Sequence, residues 1–102
     1  MEMRKTELFA QILKTVANET ELTPEQILSC CRTAETVDAR YILVHLLRRE
    51  GMYISEIARM MNFSRRGIEK MLSQFEDRLS QSGHIFKVTF ERIANKVRIA
   101  FE

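Results

Sequence analysis

The chain has 102 residues, of which 45% are hydrophobic, with only 3 Gly and 1 Pro, so we expect one domain over residues 1–102 without repeats or low-complexity segments. The formal net charge is +2, and residues 51–102 hold 9 basic and 6 acidic side chains, a bias too small to indicate nucleic acid by itself. No run of 18 apolar residues and no signal-peptide pattern occurs, and Cys30 and Cys31 are adjacent, so the composition indicates a cytoplasmic protein without membrane spans or disulfides.

Two helices are predicted in the first third of the chain. Between about Arg4 and Asn18 the apolar residues recur at helical spacing, at Leu8, Phe9, Ile12, Leu13 and Val16. Thr23 then offers a capping hydroxyl, Pro24 suits the first helical position, and Gln26 completes a capping box. A short second helix therefore begins at Pro24.

A third helix is predicted to lie at the centre of the domain. Thr36 offers an N-cap, and Asp38 places a negative charge in the first turn, where it favours the helix. Apolar side chains cover most of the circumference as far as about Arg49, which is typical of a helix surrounded by others. Gly51 is the expected C-terminal stop.

Two further helices follow, each with a serine as its predicted cap. Ser55 begins a short fourth helix that ends at Asn62, and Ser64 begins a fifth helix that ends before Gly83. The apolar positions of the fifth helix lie on one face, at Ile68, Met71, Leu72, Phe75 and Leu79.

The last segment, residues 84–102, is predicted to be a β-hairpin. The apolar residues alternate with polar ones at Phe86, Val88 and Phe90 and again at Val97, Ile99 and Phe101. The fold class that follows is mainly α, a five-helix bundle with a C-terminal β-hairpin. We favour a hairpin that closes the core or pairs with a second chain over a DNA-binding wing carrying Lys87, Arg92, Lys96 and Arg98.

Residues 54–72 have the features of a helix-turn-helix. Two short helices are joined by a tight turn in which Asn62 tolerates a left-handed conformation, and Ala58 permits close approach of the helices. Ile57, Met61, Ile68 and Leu72 are the expected inward residues.

The second helix of this pair is the predicted DNA-reading element. On a helical wheel Arg66, Glu69, Lys70 and Ser73 project away from Ile68, and all four residue types bond to bases or phosphates in DNA complexes. Ser64 and Arg65 lie at the helix N-terminus, which favours a phosphate, and Arg59 is a further phosphate contact. The competing interpretation is an ordinary solvated helix face.

The stretches ILKTVAN, LTPEQILSCCRTAET, DARYILVHLLRRE and ISEIARMMN, with the helix from Ser64, resemble the C-terminal DNA-binding domain of the bacterial replication initiator DnaA. The resemblance covers residues 4–82 and implies a helix-turn-helix of the Trp repressor type. It also implies that the loop with Arg32 and Thr33 enters the minor groove. The family's signature at the start of the recognition helix is absent, since residues 63–68 read Phe-Ser-Arg-Arg-Gly-Ile, so recognition of the initiator's own site does not follow.

No pattern indicates catalysis or a bound cofactor. Cys30, Cys31, His45 and His84 lack the spacing of a metal site, and no phosphate loop or nucleophile motif occurs. The predicted function is therefore binding of double-stranded DNA by a regulator or replication accessory protein. The alternative is a protein-interaction module on a helix-turn-helix scaffold, with a homodimer formed through the C-terminal hairpin.

Overall fold

The structure, a computed structural model, describes residues 4–29, 33–81 and 83–101, and every regular element in these ranges is an α-helix. The helices are α1 (Lys5–Thr20), α2 (Pro24–Leu28), α3 (Ala34–Arg49), α4 (Ile54–Met61), α5 (Arg65–Gln81) and α6 (Gly83–Phe101). The predicted mainly helical class and the first five helices are confirmed, whereas the C-terminal hairpin is wrong. None of the helices in the described ranges combines the length and apolarity needed to cross a membrane.

The N-cap predicted for α2 is confirmed, whereas the N-cap predicted for α3 is wrong. The capping box of α2 is present, with the Gln26 amide donating to Thr23 Oγ1 at 3.1 Å and the Thr23 amide donating to Gln26 Oε1 at 2.8 Å. Helix α3 begins one turn earlier than predicted, because Thr33 takes the cap position and accepts the Thr36 amide at 3.3 Å. Thr36, the predicted cap, is 1% exposed and belongs to the interior.

Helix α4 also begins earlier than predicted. Tyr53, rather than Ser55, is the residue before its first turn, and the Tyr53 amide donates to Glu56 Oε1 at 2.9 Å. A glutamate at the third helical position thus satisfies a backbone donor that the predicted serine does not reach. Gly51 has φ +98° at the end of α3, a left-handed conformation that glycine adopts at little cost, so the predicted stop is confirmed.

Helix α3 is the centre of the molecule, as its apolar circumference predicts. It packs against each of the other five described helices, and Ile42, Leu43 and Leu47 are completely buried. One hydrophobic cluster draws side chains from all six helices, so the helix-turn-helix rests on the same core as the termini of the described chain.

The segment predicted as a hairpin forms α6. Its inward side chains are Phe86, Ile93 and Val97, each at most 3% exposed, with Phe90 partly buried between them. The spacing of these four residues is i, i+4, i+7, i+11, which is one face of a helix. The alternation of Phe86, Val88 and Phe90 is therefore incidental. One continuous helix buries the inward side chains against the bundle, whereas a two-stranded ribbon is barely stable without further packing.

Ion pairs hold α6 and α5 to the rest of the bundle. Arg78 of α5 donates from Nε and a terminal nitrogen to Asp38 Oδ1 of α3, at 2.9 and 2.6 Å, and its guanidinium lies 4.5 Å from the Tyr41 ring centroid. On the other side, Lys96 of α6 pairs with Glu19 of α1. These contacts tie α5 to α3 and α6 to α1.

Candidate nucleic-acid interface

The turn between α4 and α5 has the predicted geometry. Asn62 adopts φ 59° and ψ 41°, a left-handed conformation that asparagine tolerates better than other residues with a Cβ. The Phe63 amide donates to the Ala58 carbonyl at 2.9 Å, which closes the end of α4. Only three residues separate α4 from α5, a connection as short as that of a helix-turn-helix.

The start of α5 is set by Ser64. Its Oγ accepts the Gly67 amide at 3.0 Å, so the predicted N-cap is confirmed. A Cβ added to Gly67 would lie 3.1 Å from the same Oγ, which is tighter than ordinary contact. Glycine at this position thus leaves room for the capping hydroxyl.

The inner faces of α4 and α5 are locked together by the core. Ile57 and Ile68 are completely buried, Met61 is 1% exposed, and Ala58 is buried where the two helices pack. Leu72 is partly buried against this cluster. All five residues that the sequence predicts as the inner side of the pair or its crossing point therefore lie inward.

The outer face of α5 is open to solvent. Arg66, Glu69, Lys70 and Ser73 are all exposed, as are Arg65 at the start of the helix and Arg59 on α4. The Ser73 hydroxyl donates to the Lys70 carbonyl at 3.0 Å, a bond within the helix that leaves the oxygen facing outward as an acceptor. The structure thus brings the predicted contacts of α4 and α5 onto two adjacent exposed helices.

Of the acidic residues near this face, Glu56 and Glu69 each have a cationic partner, whereas Asp77 is exposed on α5. Glu56 accepts from Lys5 Nζ at 2.7 Å, and this hydrogen bond, helped by the Tyr53 amide, lowers the pKa of the Glu56 carboxyl below its ordinary value. Glu69 lies 3.4 Å from Arg65 Nε in an i, i+4 pair on the surface. A pair of this kind is weak and opens readily.

Three cations lie outside these ion pairs, although Arg59 is close enough to Glu56 to help lower the pKa of its carboxyl. Arg59, Arg66 and Lys70 form no ion pair with any residue in the described ranges. Their positive charge is therefore available to an anionic ligand on the side of the molecule that α5 presents to solvent.

The loop before α3 is the less complete part of the predicted site. Arg32, with Cys30 and Cys31, lies outside the described residues. Thr33 is exposed, but its hydroxyl is engaged in capping α3 and lies 2.6 Å from Thr36 Oγ1. A ligand that binds the Thr33 hydroxyl must therefore share it with the N-cap hydrogen bond of α3.

Arg40 is a positioning residue that sequence reasoning missed. It is 7% exposed, its Nε donates to the Ile27 carbonyl at 2.6 Å, and a terminal nitrogen donates to the Ser29 carbonyl. Its guanidinium also lies 5.7 Å from the ring centroid of Phe63, in the turn before α5. The only sequence signal was a charged residue in a helix that is apolar on most sides.

The basic residues of the C-terminal segment do not form a wing. They lie along α6, where Lys96 pairs with Glu19 and Arg92 lies 3.9 Å from the same carboxylate. Lys87 and Arg98 are exposed on that helix. The winged arrangement considered from sequence is therefore wrong, because the two strands that define a wing are one helix.

His45 is packed rather than placed for metal binding. Its ring stacks on Phe75 at a centroid distance of 3.9 Å, and burial, reinforced by Arg49, lowers the pKa of the imidazole below its ordinary value. Among the described residues no group of three or more His, Cys, Asp and Glu side chains has a metal-binding arrangement. Among the described residues, the candidate site is therefore the exposed side of α4 and α5.

Comparison with protein-family models, with curated proteins and with solved structures finds no match for this chain.

Proposed function

We propose that this protein binds double-stranded DNA, with α5 as the recognition helix in the major groove and α4 lying across the backbone. The observation that carries the proposal is the exposed cationic face of α5, held at a tight Asn62 turn, on which Arg66 and Lys70 form no ion pair in the described ranges. Helix-turn-helix proteins read base edges from the N-terminal part of this second helix.

Each exposed side chain has a role in this proposal. Arg66 forks onto guanine, and Lys70 is a point charge for phosphate or guanine. Glu69, once released from Arg65, accepts from cytosine, and Ser73 bonds bases or phosphate. These four residues lie on successive turns of one helix face, so they follow the groove together.

The remaining predicted residues anchor the backbone of the duplex. Ser64 and Arg65 lie at the N-terminus of α5, where free amides and the helix dipole favour phosphate, and Arg59 reaches the strand beside it. By the resemblance to the DnaA C-terminal domain, Arg32 and Thr33 approach the adjacent minor groove. We propose that the protein shares that domain's fold but reads a different site, as a cytoplasmic regulator that acts by binding and not by catalysis.

Salt-dependent titration of a labelled duplex tests the proposal. Replacement of Lys70 by alanine should weaken binding and flatten the slope of log affinity against log salt by about 0.9, the value for one lost phosphate contact. Arg66→Ala should weaken binding and reduce discrimination between duplexes of different sequence.

Lys14→Ala is the matched control, because Lys14 is an exposed lysine on α1 without an ion pair in the described ranges. It should leave both affinity and slope unchanged. Undetectable duplex binding at low salt, or equal effects of Lys14→Ala and Lys70→Ala, would contradict the proposal; circular dichroism of each variant establishes that it is folded.

A further inference from the structure

Helix α6 has a second apolar stripe on the side away from the core. Ile85 and Ile99 are 82% and 63% exposed, and Val88 is only partly buried. Together with Arg92 and Asn95 these residues are spaced 3, 4, 3 and 4 apart, which is the a and d pattern of a coiled-coil helix. The inward stripe of Phe86, Phe90, Ile93 and Val97 is separate from this outer stripe.

The outer stripe is not explained by the bundle itself. Ile85 and Ile99 are separated by 14 residues, or about 21 Å along the helix, and lie on nearly the same side of it. Single exposed aliphatic residues are common on protein surfaces, but a heptad-spaced row on one long helix is the pattern of a helix that packs against another helix.

We propose that the outer stripe pairs antiparallel with the same stripe of a second copy of this chain. One register places Val88 opposite Ile99 of the second copy. The same register places Arg92 opposite Asn95 of the second copy, because both pairs of positions are centred between residues 93 and 94. The two aliphatic layers therefore enclose two polar layers in which the Arg92 guanidinium lies beside the Asn95 side chain of the second copy, whose Oδ1 also accepts from Arg98 of its own helix at 3.0 Å.

Charges beside the stripe favour the same register. Glu91 and Arg98 are exposed and lie seven residues apart along one flank of the stripe. Antiparallel pairing brings Glu91 beside Arg98 of the second copy, and two-fold symmetry repeats the pair. The flank is thus complementary to itself, which identifies a second copy as the partner rather than an unrelated helix.

Parallel pairing is disfavoured by the same residues. It sets Arg92 against Arg92 of the second copy at a central layer, and like charges in contact destabilise an interface. The polar layers thus select the antiparallel orientation as well as the register.

The dimer should be weak, because one helix pair with few aliphatic layers buries less surface than a standard interface. Sedimentation equilibrium without DNA, over a concentration series reaching about 1 mM, should show the mass rising from 12.0 kDa toward twice that value. Ile99→Lys should weaken association at least about tenfold. Tyr53→Ser, which removes an equally exposed apolar residue from the start of α4, should not.

A charge exchange tests the register. Glu91→Arg and Arg98→Glu should each weaken the dimer, and the double variant should recover wild-type association, because the pair re-forms with its signs exchanged. A wild type that stays monomeric throughout the series overturns the proposal, as does a dimer that Ile99→Lys leaves intact. Failure of the double variant to recover wild-type association overturns the antiparallel register.

None of these measurements depends on DNA. Their outcome is therefore separate from that of the DNA titration.

Discussion

At the scale of single residues, Arg40 links the C-terminal end of α2 to the turn before α5. Its guanidinium donates to the carbonyls of Ile27 and Ser29, where the chain leaves α2, and faces Phe63 in the turn before α5. A planar guanidinium does this because it donates in several fixed directions while its face contacts an aromatic ring. One buried side chain thus connects the C-terminal end of α2 with the turn before α5.

Replacing Arg40 should therefore cost more than a surface arginine. Arg40→Met keeps the aliphatic stem but leaves the buried Ile27 carbonyl without its donor, and we expect a loss of about 2–4 kcal/mol in the free energy of unfolding. Arg40→Lys should recover little of it, since an ammonium does not reproduce the fork or the stacking. Urea unfolding measures both variants.

The control for Arg40 is Arg49→Met on the same helix, where the side chain is exposed. It should change stability by no more than about 0.5 kcal/mol. If Arg40→Met behaves like Arg49→Met, the contacts of Arg40 with the end of α2 and with Phe63 do not stabilise the fold.

At the scale of elements, the sequence predicts α4, α5 and the turn between them well because their determinants are local. Asn62 and Ser64 act within a few residues of their own positions, and the exposure of Arg66 and Lys70 follows from helical periodicity alone. The Glu56 pair with Lys5 could not be predicted in this way, since it joins residues 51 positions apart in sequence.

Helix α6 shows the opposite case, in which two periodicities fit one segment. Residues 86–90 satisfy both strand alternation and half of a helical face, and only the continuation through Ile93 to Val97 distinguishes them. The absence of Gly, Pro and Asp between Gly83 and the end of the chain also favours a continuous helix over a hairpin turn. Tertiary packing against α1, α3 and α5 then decides in favour of the helix.

A proline in the middle of this segment separates helix from hairpin. Asn95→Pro should lower the free energy of unfolding by about 3 kcal/mol or more, because it removes a backbone donor and clashes within α6. The same proline would be tolerated in a hairpin turn at residues 93–96. Thermal unfolding followed by circular dichroism at low protein concentration measures the loss.

Asn95→Ala is the matched control for this proline. It removes only the exposed hydrogen bond from Arg98 and keeps helix propensity, so stability should stay nearly unchanged. A proline variant as stable as the alanine variant would rule out α6.

At the scale of the whole molecule, α3, α5 and α6 meet around one aromatic cluster. His45 of α3 stacks on Phe75 of α5 at 3.9 Å and meets the edge of Phe90 of α6 at 5.3 Å, while Phe75 contacts Phe86 at 6.0 Å. The proposed recognition helix α5 and the proposed dimer helix α6 are thus coupled to the central helix through one set of rings. Anything that loosens this cluster affects both surfaces together.

Protonation of His45 should loosen the cluster, which makes stability depend on pH. Burial and Arg49 lower the folded-state pKa of His45, with Glu76 opposing them in part, so the unfolded chain binds a proton first as pH falls below the ordinary value of about 6.5. Stability is therefore full above that pH and declines as pH falls toward the lowered folded-state pKa.

The melting temperature should fall from pH 7.5 to 5, and it should fall less steeply in His45→Phe. His84→Gln, at an exposed position, should keep the wild-type dependence. Glu56, whose pKa is also lowered, loses its contribution only at more acidic pH, so an equal decline in wild type and His45→Phe over this interval would remove His45 as its source.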